Sequence, residues 1–230
     1  MRARKTVIGF ILCVAATAAQ AEVGGLFSGR LANPDTWPDR AIEGGFIKTD
    51  EDTHIGGRLN FKMNQKAMLY ADYGQSTTEA DDIASGFEFE GNPLGAGIFY
   101  SLGEMVAGYE FAARASYHQG TLDGNKRLTT TTQQVADLES DFSELSADLL
   151  FNRIEPFLDN GVRFYGSAGL AKLEAKIKFA GASISDIEVS DTEFVAALGA
   201  TLPFGPGEAW LGLEVIDNEE SFGAGFRIAF

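Results

Sequence analysis

The stretch that decides the fold is the last one, Ser221-Phe-Gly-Ala-Gly-Phe-Arg-Ile-Ala-Phe230. In an extended chain successive side chains point to opposite faces. Phe222, Ala224, Phe226, Ile228 and Phe230 therefore share one face, with Gly223, Gly225, Arg227 and Ala229 on the other. One face is wholly apolar, and the chain stops on its aromatic residue. A strand of this kind needs an apolar medium beside it.

The same alternation recurs upstream, and ten strands are expected from about residue 41 onward. Ile55, Gly57, Leu59, Phe61 and Met63 alternate with Gly56, Arg58, Asn60 and Lys62. Ala67, Leu69, Ala71 and Tyr73 follow after an expected tight turn at Asn64-Gln65. Strands are expected over Phe87 to Leu102, Ala107 to Tyr117, Asp141 to Phe151 and Val162 to Phe179, then near Phe194 to Leu202, Ala209 to Val215 and the C-terminus. The first, Ala41 to Lys48, is interrupted by Gly44-Gly45. Two strands change phase, near Asn92-Pro93 and near Ala171, which predicts a bulge in the first.

No stretch after the N-terminus has the run of about eighteen apolar residues that a membrane helix needs. A chain crossing a bilayer on strands must close them into a barrel, because lipid offers backbone groups no partner. Aromatic residues gather at strand ends, with Tyr73, Tyr117, Phe142, Phe194 and Phe222 at one rim and Phe61, Tyr100, Phe151, Phe164 and Phe230 at the other. That is the girdle of a membrane barrel rather than the pattern of a soluble one. The fold class expected is all-β, an antiparallel up-and-down transmembrane β-barrel of about ten strands, with eight or twelve as alternatives. Turns near Asn64, Gly103 and Gly205 lie on the side of Phe230. Long loops, Gln75 to Ser85 and Gln119 to Ser140, lie on the other.

Residues 1–21 have the form of a secretory signal. Arg2, Arg4 and Lys5 precede the apolar Thr6 to Ala18, and Ala19-Gln20-Ala21 is a cleavage site. Cys13, the only cysteine, leaves with it. Residues 22–40 are expected to be an irregular lead-in, marked by Asn33-Pro34 and Trp37-Pro38, and residues 41–230 the barrel domain. The chain carries a net charge of −15, and losing the three signal bases takes the mature form to −18. Such acidity argues against a nucleic-acid partner.

Taken together, the signal, the Gly-rich alternation and the terminal Phe resemble the small porin-family, OmpA-like and opacity-type outer-membrane β-barrels. The resemblance is one of pattern. It implies an outer-membrane location with both termini periplasmic. It implies Phe226, Ile228 and Phe230 as the assembly signal read by the barrel-assembly machinery. Outer-membrane lipid and lipopolysaccharide are the other partners expected, for a monomer. The family's members include structural proteins, adhesins, narrow channels and a few enzymes, so the fold does not fix the function.

The polar face carries the candidate chemistry: Arg58, Lys62, Asp72, Glu110, Arg114, Glu144, Asp148, Arg163, Glu214 and Arg227. These line an ion path or pair with one another to close a narrow barrel. Small barrels are filled, which favours pairing, with Arg114 opposite Glu144 or Asp148. Ser116 and His118 share that face, but no third group orients the imidazole, and a His at the rim is expected to be solvated. His54 has no evident partner. Asp50-Glu51-Asp52 and Glu79 to Asp82 lack the ligand order of a calcium loop. The run Thr129 to Thr132 is read as exposed and polar. No catalytic residues, no metal and no cofactor are expected. The function expected is a structural or surface-interaction role through the outward loops. A narrow channel for small solutes is the alternative, and a hydrolase or protease the least favoured.

Overall fold

The structure, a computed structural model, describes residues 37–80, 85–129, 135–157, 159, 161–181, 183, 185–216 and 219–230. The signal and most of the lead-in lie outside the described residues. Twelve strand segments follow one another: β1 (Arg40–Lys48), β2 (Asp52–Lys62), β3 (Ala67–Glu79), β4 (Glu88–Gly91), β5 (Leu94–Val106), β6 (Tyr109–Gly124), β7 (Leu128–Thr129), β8 (Val135–Arg153), β9 (Arg163–Ala180), β10 (Ile187–Phe204), β11 (Gly207–Ile216) and β12 (Glu219–Ala229). Every neighbouring pair in the wall is antiparallel, and β1 pairs with both β2 and β12, which closes the ring. β4 and β5 each lie between β3 and β6, so they are two lengths of one wall strand. β7 is a short appendix on β8. The barrel therefore has ten strands, as the alternation predicts. Full closure leaves no sheet edge within it.

At the end bearing Arg40 and Phe230 the β2–β3, β5–β6 and β10–β11 turns are tight, while the β8–β9 connection, between Arg153 and Arg163, is longer. Asn64 makes the β2–β3 turn, its Oδ1 accepting from Lys66 N at 2.8 Å and Ala67 N at 2.9 Å, the side-chain turn that Asn favours. The β5–β6 turn differs from expectation. It falls at Ala107-Gly108, where Gly108 has φ 82°, while Gly103 sits in a register shift between Ser101 and Gly103.

The predicted bulge at Asn92-Pro93 is absent. Ser76 pairs with Gly91 and Tyr73 with Leu94, so the register against β3 runs straight through; it does the same against β6. The pairings of β9 with β8 and β10 are equally unbroken across Ala171. What changes at these points is the chemistry of the faces. On β9 the outward residues are Phe164, Gly166, Ala168 and Leu170, then Lys172, Glu174, Lys176 and Lys178. The inward ones are Arg163, Tyr165, Ser167 and Gly169, then Ala171, Leu173, Ala175, Ile177 and Phe179. One length is apolar outside and polar inside. The other is the reverse, as in a water-surrounded sheet.

The outward apolar length forms a belt. Tyr73, Tyr117, Phe194 and Phe222 edge it above, and Phe61, Tyr100, Phe164 and Phe230 below, each exposed. Phe142, expected in the upper girdle, points inward and is buried. So many exposed large apolar side chains, in a band closing round the molecule, cannot face water. The fold is a transmembrane β-barrel of the outer-membrane type.

Beyond the belt, β3, β4, β6, β8, β9 and β10 continue as a hood. Much of what the sequence suggested as long loops is strand: β3 reaches Glu79, β6 reaches Gly124 and β8 begins at Val135. The hood's concave face buries Phe87, Phe89, Leu122, Leu138, Phe142, Leu173 and Ile177 as an apolar core. The other side of the rim stays low, because β1 turns directly into β2 at Thr49, whose Oγ1 accepts from Asp52 N at 2.7 Å.

Candidate functional site: a lumen of alternating charge

The lumen is stratified. At the end bearing the termini, Met68, Tyr70, Phe99, Ala112 and Leu150 pack together with Trp37. The described end of the lead-in is thus tucked into the barrel mouth, with Lys62 Nζ donating to the Trp37 carbonyl at 3.5 Å. Above this layer, Arg114 pairs with Asp148, Nε at 2.8 Å and Nη2 at 2.6 Å from Oδ2. The next step on the same two strands is Ser116 against Ser146, with Oγ atoms 2.5 Å apart. The next is His118 beside Glu144, and the hood core follows.

Along the row that passes through His118 the register lines up one inward residue from each of eight strands, climbing from the turn beside Gly207 to the foot of the hood. Glu208 on β11 is opposite Arg227 on β12, Arg227 opposite Glu43 on β1, Glu43 opposite Arg58 on β2, and Arg58 opposite Asp72 on β3. Asp72 is opposite Gly95 on β5, Gly95 opposite His118 on β6, and His118 opposite Glu144 on β8. The signs alternate from Glu208 to Asp72. Arg58 grips Asp72 with both arms of its fork, Nε–Oδ1 2.5 Å and Nη2–Oδ2 2.9 Å, and lies 3.9 Å over the Tyr70 ring. Arg227 reaches Glu208 at 3.4 Å. Such side-by-side opposite charges are the cross-strand pairs that stabilise a sheet, and in a lumen they also meet the need of buried charge for a partner.

Gly95 interrupts the charges but not the contact. The imidazole of His118 lies over it and touches Asp72, Nε2 to Oδ2 at 3.0 Å. A Cβ on Gly95 would fall 1.9 Å from His118 Cδ2. The absence of a side chain here is what lets the ladder cross β5. The His118 Nδ1 lies 3.9 Å from Glu144 Oε1, so the ring stands between two carboxylates.

Of the ten charges expected on the lumen face, Arg58, Asp72, Arg114, Glu144, Glu214 and Arg227 are buried there. Asp148 is paired with Arg114, whereas Lys62, Glu110 and Arg163 are half-buried at the mouth nearer the termini. Arg114 grips Asp148 with two nitrogens. His118 corrects the expectation of a solvated rim residue: it is only 3 % exposed and partnered. Its neighbour Ser116 meets Ser146. His54 is likewise inside, its ring over Gly74. Glu43 and Glu208 also belong to the interior, as does Asp52, which the sequence placed only in an acidic run. Glu43 sits in the strand that Gly44-Gly45 appeared to break, and the sign alternation across the register is the signal that finds it. Among the described residues no group of three His, Cys, Asp or Glu side chains converges as a metal site. Phe226 and Ile228 face outward on β12. Phe230 N donates to the Arg40 carbonyl at 3.0 Å, and its ring stands free.

No family model matches the chain. No curated protein matches it in sequence either. Among solved structures it is similar to the N-terminal β-barrel domain of Pseudomonas aeruginosa OprF, at 16 % identity over 82 % of this chain and 96 % of that one, TM-score 0.35. Neisserial surface protein A is 13 % identical over 83 % of this chain and 94 % of that one, TM-score 0.35. The translocator domain of the autotransporter NalP from Neisseria meningitidis is 13 % identical over 100 % and 96 %, TM-score 0.47. At these values the likenesses carry no functional argument, and the assignment of a closed ten-stranded membrane barrel rests on the strand pairing and the apolar belt.

Proposed function

We propose that this chain is an outer-membrane barrel with both termini periplasmic, acting as a structural or surface-interaction protein through its hood. The observation that carries the reading is the filled lumen. Met68, Tyr70, Phe99 and Leu150 at one level, Arg58 at the next, and Phe87, Phe89, Leu122 and Ile177 in the hood are all almost fully enclosed. Barrels of this size are packed with side chains, whereas aqueous channels belong to about sixteen strands or more. The ion pairs then act as struts. His118 is buried, and its neighbour Ser116 meets Ser146, which supports a non-enzymatic role. The partners proposed are outer-membrane lipid and lipopolysaccharide around the belt and the barrel-assembly machinery during biogenesis, for a monomer.

Purified protein in planar bilayers should show little or no steady conductance. Arg114→Ala should raise it while lowering thermal stability, because Asp148 loses its fork. A large, stable, ion-selective conductance from the unaltered protein would promote the channel instead.

A further inference from the structure

We propose that the outer face of the hood, where β8, β9 and β10 leave the bilayer, is a seat for one molecule of lipopolysaccharide. Its acyl chains lie on the belt and its phosphorylated sugars fill a trough above. The inference rests on the outer-membrane reading and gives that lipid a fixed place on the barrel.

The register builds the trough. Four outward rows cross the three strands. Ala147, Leu170 and Phe194 form the lowest, and Leu145, Lys172 and Thr192 the next. Ser143, Glu174 and Ser190 follow, then Asp141, Lys176 and Glu188. Between the two upper rows lies an open cavity of about 550 Å³. The short serines on either side of Glu174 leave this room.

The height of the trough selects its occupant. Leu145, Leu170 and Phe194 are exposed and face hydrocarbon. Glu174 stands four residues beyond Leu170 on β9. At about 3.4 Å per residue and the tilt of a membrane strand, that is roughly 10 Å of height. A phospholipid headgroup layer is only about 5–7 Å deep. A sugar headgroup carried on acyl chains reaches the trough, while its chains stay on the leucines below.

The chemistry of the walls agrees. Lys172 pairs with Glu174 at 2.6 Å, and Lys176 with Glu188 at 3.1 Å and Asp186 at 3.3 Å. All of these groups are exposed, and exposed ion pairs hold weakly. A phosphate can take either lysine, and the carboxylate so released accepts from sugar hydroxyls. Ser143 and Ser190 bring hydroxyls that both donate and accept. Asp141, the remaining acid of the wall, is compensated by Lys178 at 2.6 Å.

The test is binding of purified rough lipopolysaccharide to the full chain refolded in detergent micelles, counted by native mass spectrometry. The shifted gel mobility of each variant checks that it is folded. One molecule should bind the unaltered protein. Lys172→Ala and Lys176→Ala should each weaken binding about tenfold, the scale of one hydrogen bond to a charged group. Ser190→Phe, which fills the trough and keeps every charge, should weaken it as much. Lys48→Ala, which removes an exposed lysine at the low rim on β1, should leave it unchanged. Dephosphorylated lipopolysaccharide should bind weakly and be indifferent to Lys172→Ala. The seat is overturned if binding survives the three trough variants, if Lys48→Ala weakens it equally, or if phosphatidylglycerol competes on equal terms. Orientation in the cell does not enter this measurement, so its failure leaves the outer-membrane reading standing. Failure of that reading shows separately, in the labelling of a hood epitope on intact cells.

Discussion

Single side chains in this lumen are held by their neighbours' chemistry more than by shape. Arg58 is the clearest case. Its fork matches the Asp72 carboxylate, its plane covers Tyr70, and Glu43 adds a further negative charge from β1. Removing the arginine strands Asp72 in a buried site. Arg58→Ala should therefore cost about 3–5 kcal/mol of stability, as for other broken buried pairs. The double change Arg58→Met with Asp72→Leu should recover part of that loss, since no Asp72 carboxylate is then stranded, while Glu43 and His118 each lose one neighbour. Urea unfolding in vesicles measures both. If the double variant is no more stable than Arg58→Ala, the pair is not the energetic unit. The lumen charges were legible in the sequence because period 2 sorts them onto one face. Their partners were not. Whether Arg114 meets Glu144 or Asp148 depends on a register offset of four residues, which alternation leaves open. His118 was hidden for a related reason: its role depends on Gly95, 23 positions upstream.

At the scale of the strand, the informative event is the exchange of faces. Near Asn92-Pro93 and Ala171 the hydrophobic phase jumps, and a bulge would explain the jump locally. The unbroken register gives another cause: the strand leaves lipid for water, and its apolar side turns from outward to inward. Sequence alone cannot separate the two, because both shift the apolar residues by one. Once outside, the strands are tied by surface ion pairs. Lys178 bridges Glu139 at 2.5 Å and Asp141 at 2.6 Å, and Lys176 lies 3.1 Å from Glu188. The Lys178 contact holds the Asp141 carboxyl below its usual range. A depressed carboxylate contributes stability above its unfolded pKa and loses that contribution as pH falls through the folded value. The hood should therefore be firm at neutral pH and loosen in acid below about pH 4, the ordinary Asp value. The effect should be small and salt-sensitive, since the pair is exposed. Amide exchange along β8 and β9 beyond the belt, compared between Asp141→Asn and the unaltered chain, checks it. Equal protection in both at neutral pH would remove the pair from the account. Among the described residues no strand lies on the β11 side of β10 from Ile187 to Phe194, and this edge carries Glu188, Asp191 and Glu193, charges of the kind that keep exposed edges from recruiting other strands.

For the whole molecule, the even strand number brings both ends of the barrel to one side, where Phe230 N meets the Arg40 carbonyl. With that side periplasmic, the hood stands outside the cell. An epitope inserted near Thr131, between the paired Thr129 and Val135, should be accessible to antibody on intact cells. Labelling only after permeabilisation would invert the topology. The strand number and closure were readable from the sequence because each membrane strand repeats the same alternation. The hood was readable only in part: β4 and the upper length of β9 fell within expected strands, whereas the hood lengths of β3, β6 and β8 read as loops once the lipid-facing code stopped.

The height at which each strand exchanges its faces has a mechanical meaning. Tyr73 gives way to Gln75 on β3, Tyr117 to Gln119 on β6, Leu170 to Lys172 on β9 and Phe222 to Glu220 on β12. These points act as a waterline painted round the hull. If the molecule sank, or rocked toward β9, Lys172 would enter hydrocarbon, at a cost that grows from near zero at the interface to about 2–4 kcal/mol at the midplane. If it rose, Leu170 and Tyr117 would surface instead. Draught and list are thus both set by the chain itself, so the hood is held at one fixed elevation and angle above the bilayer.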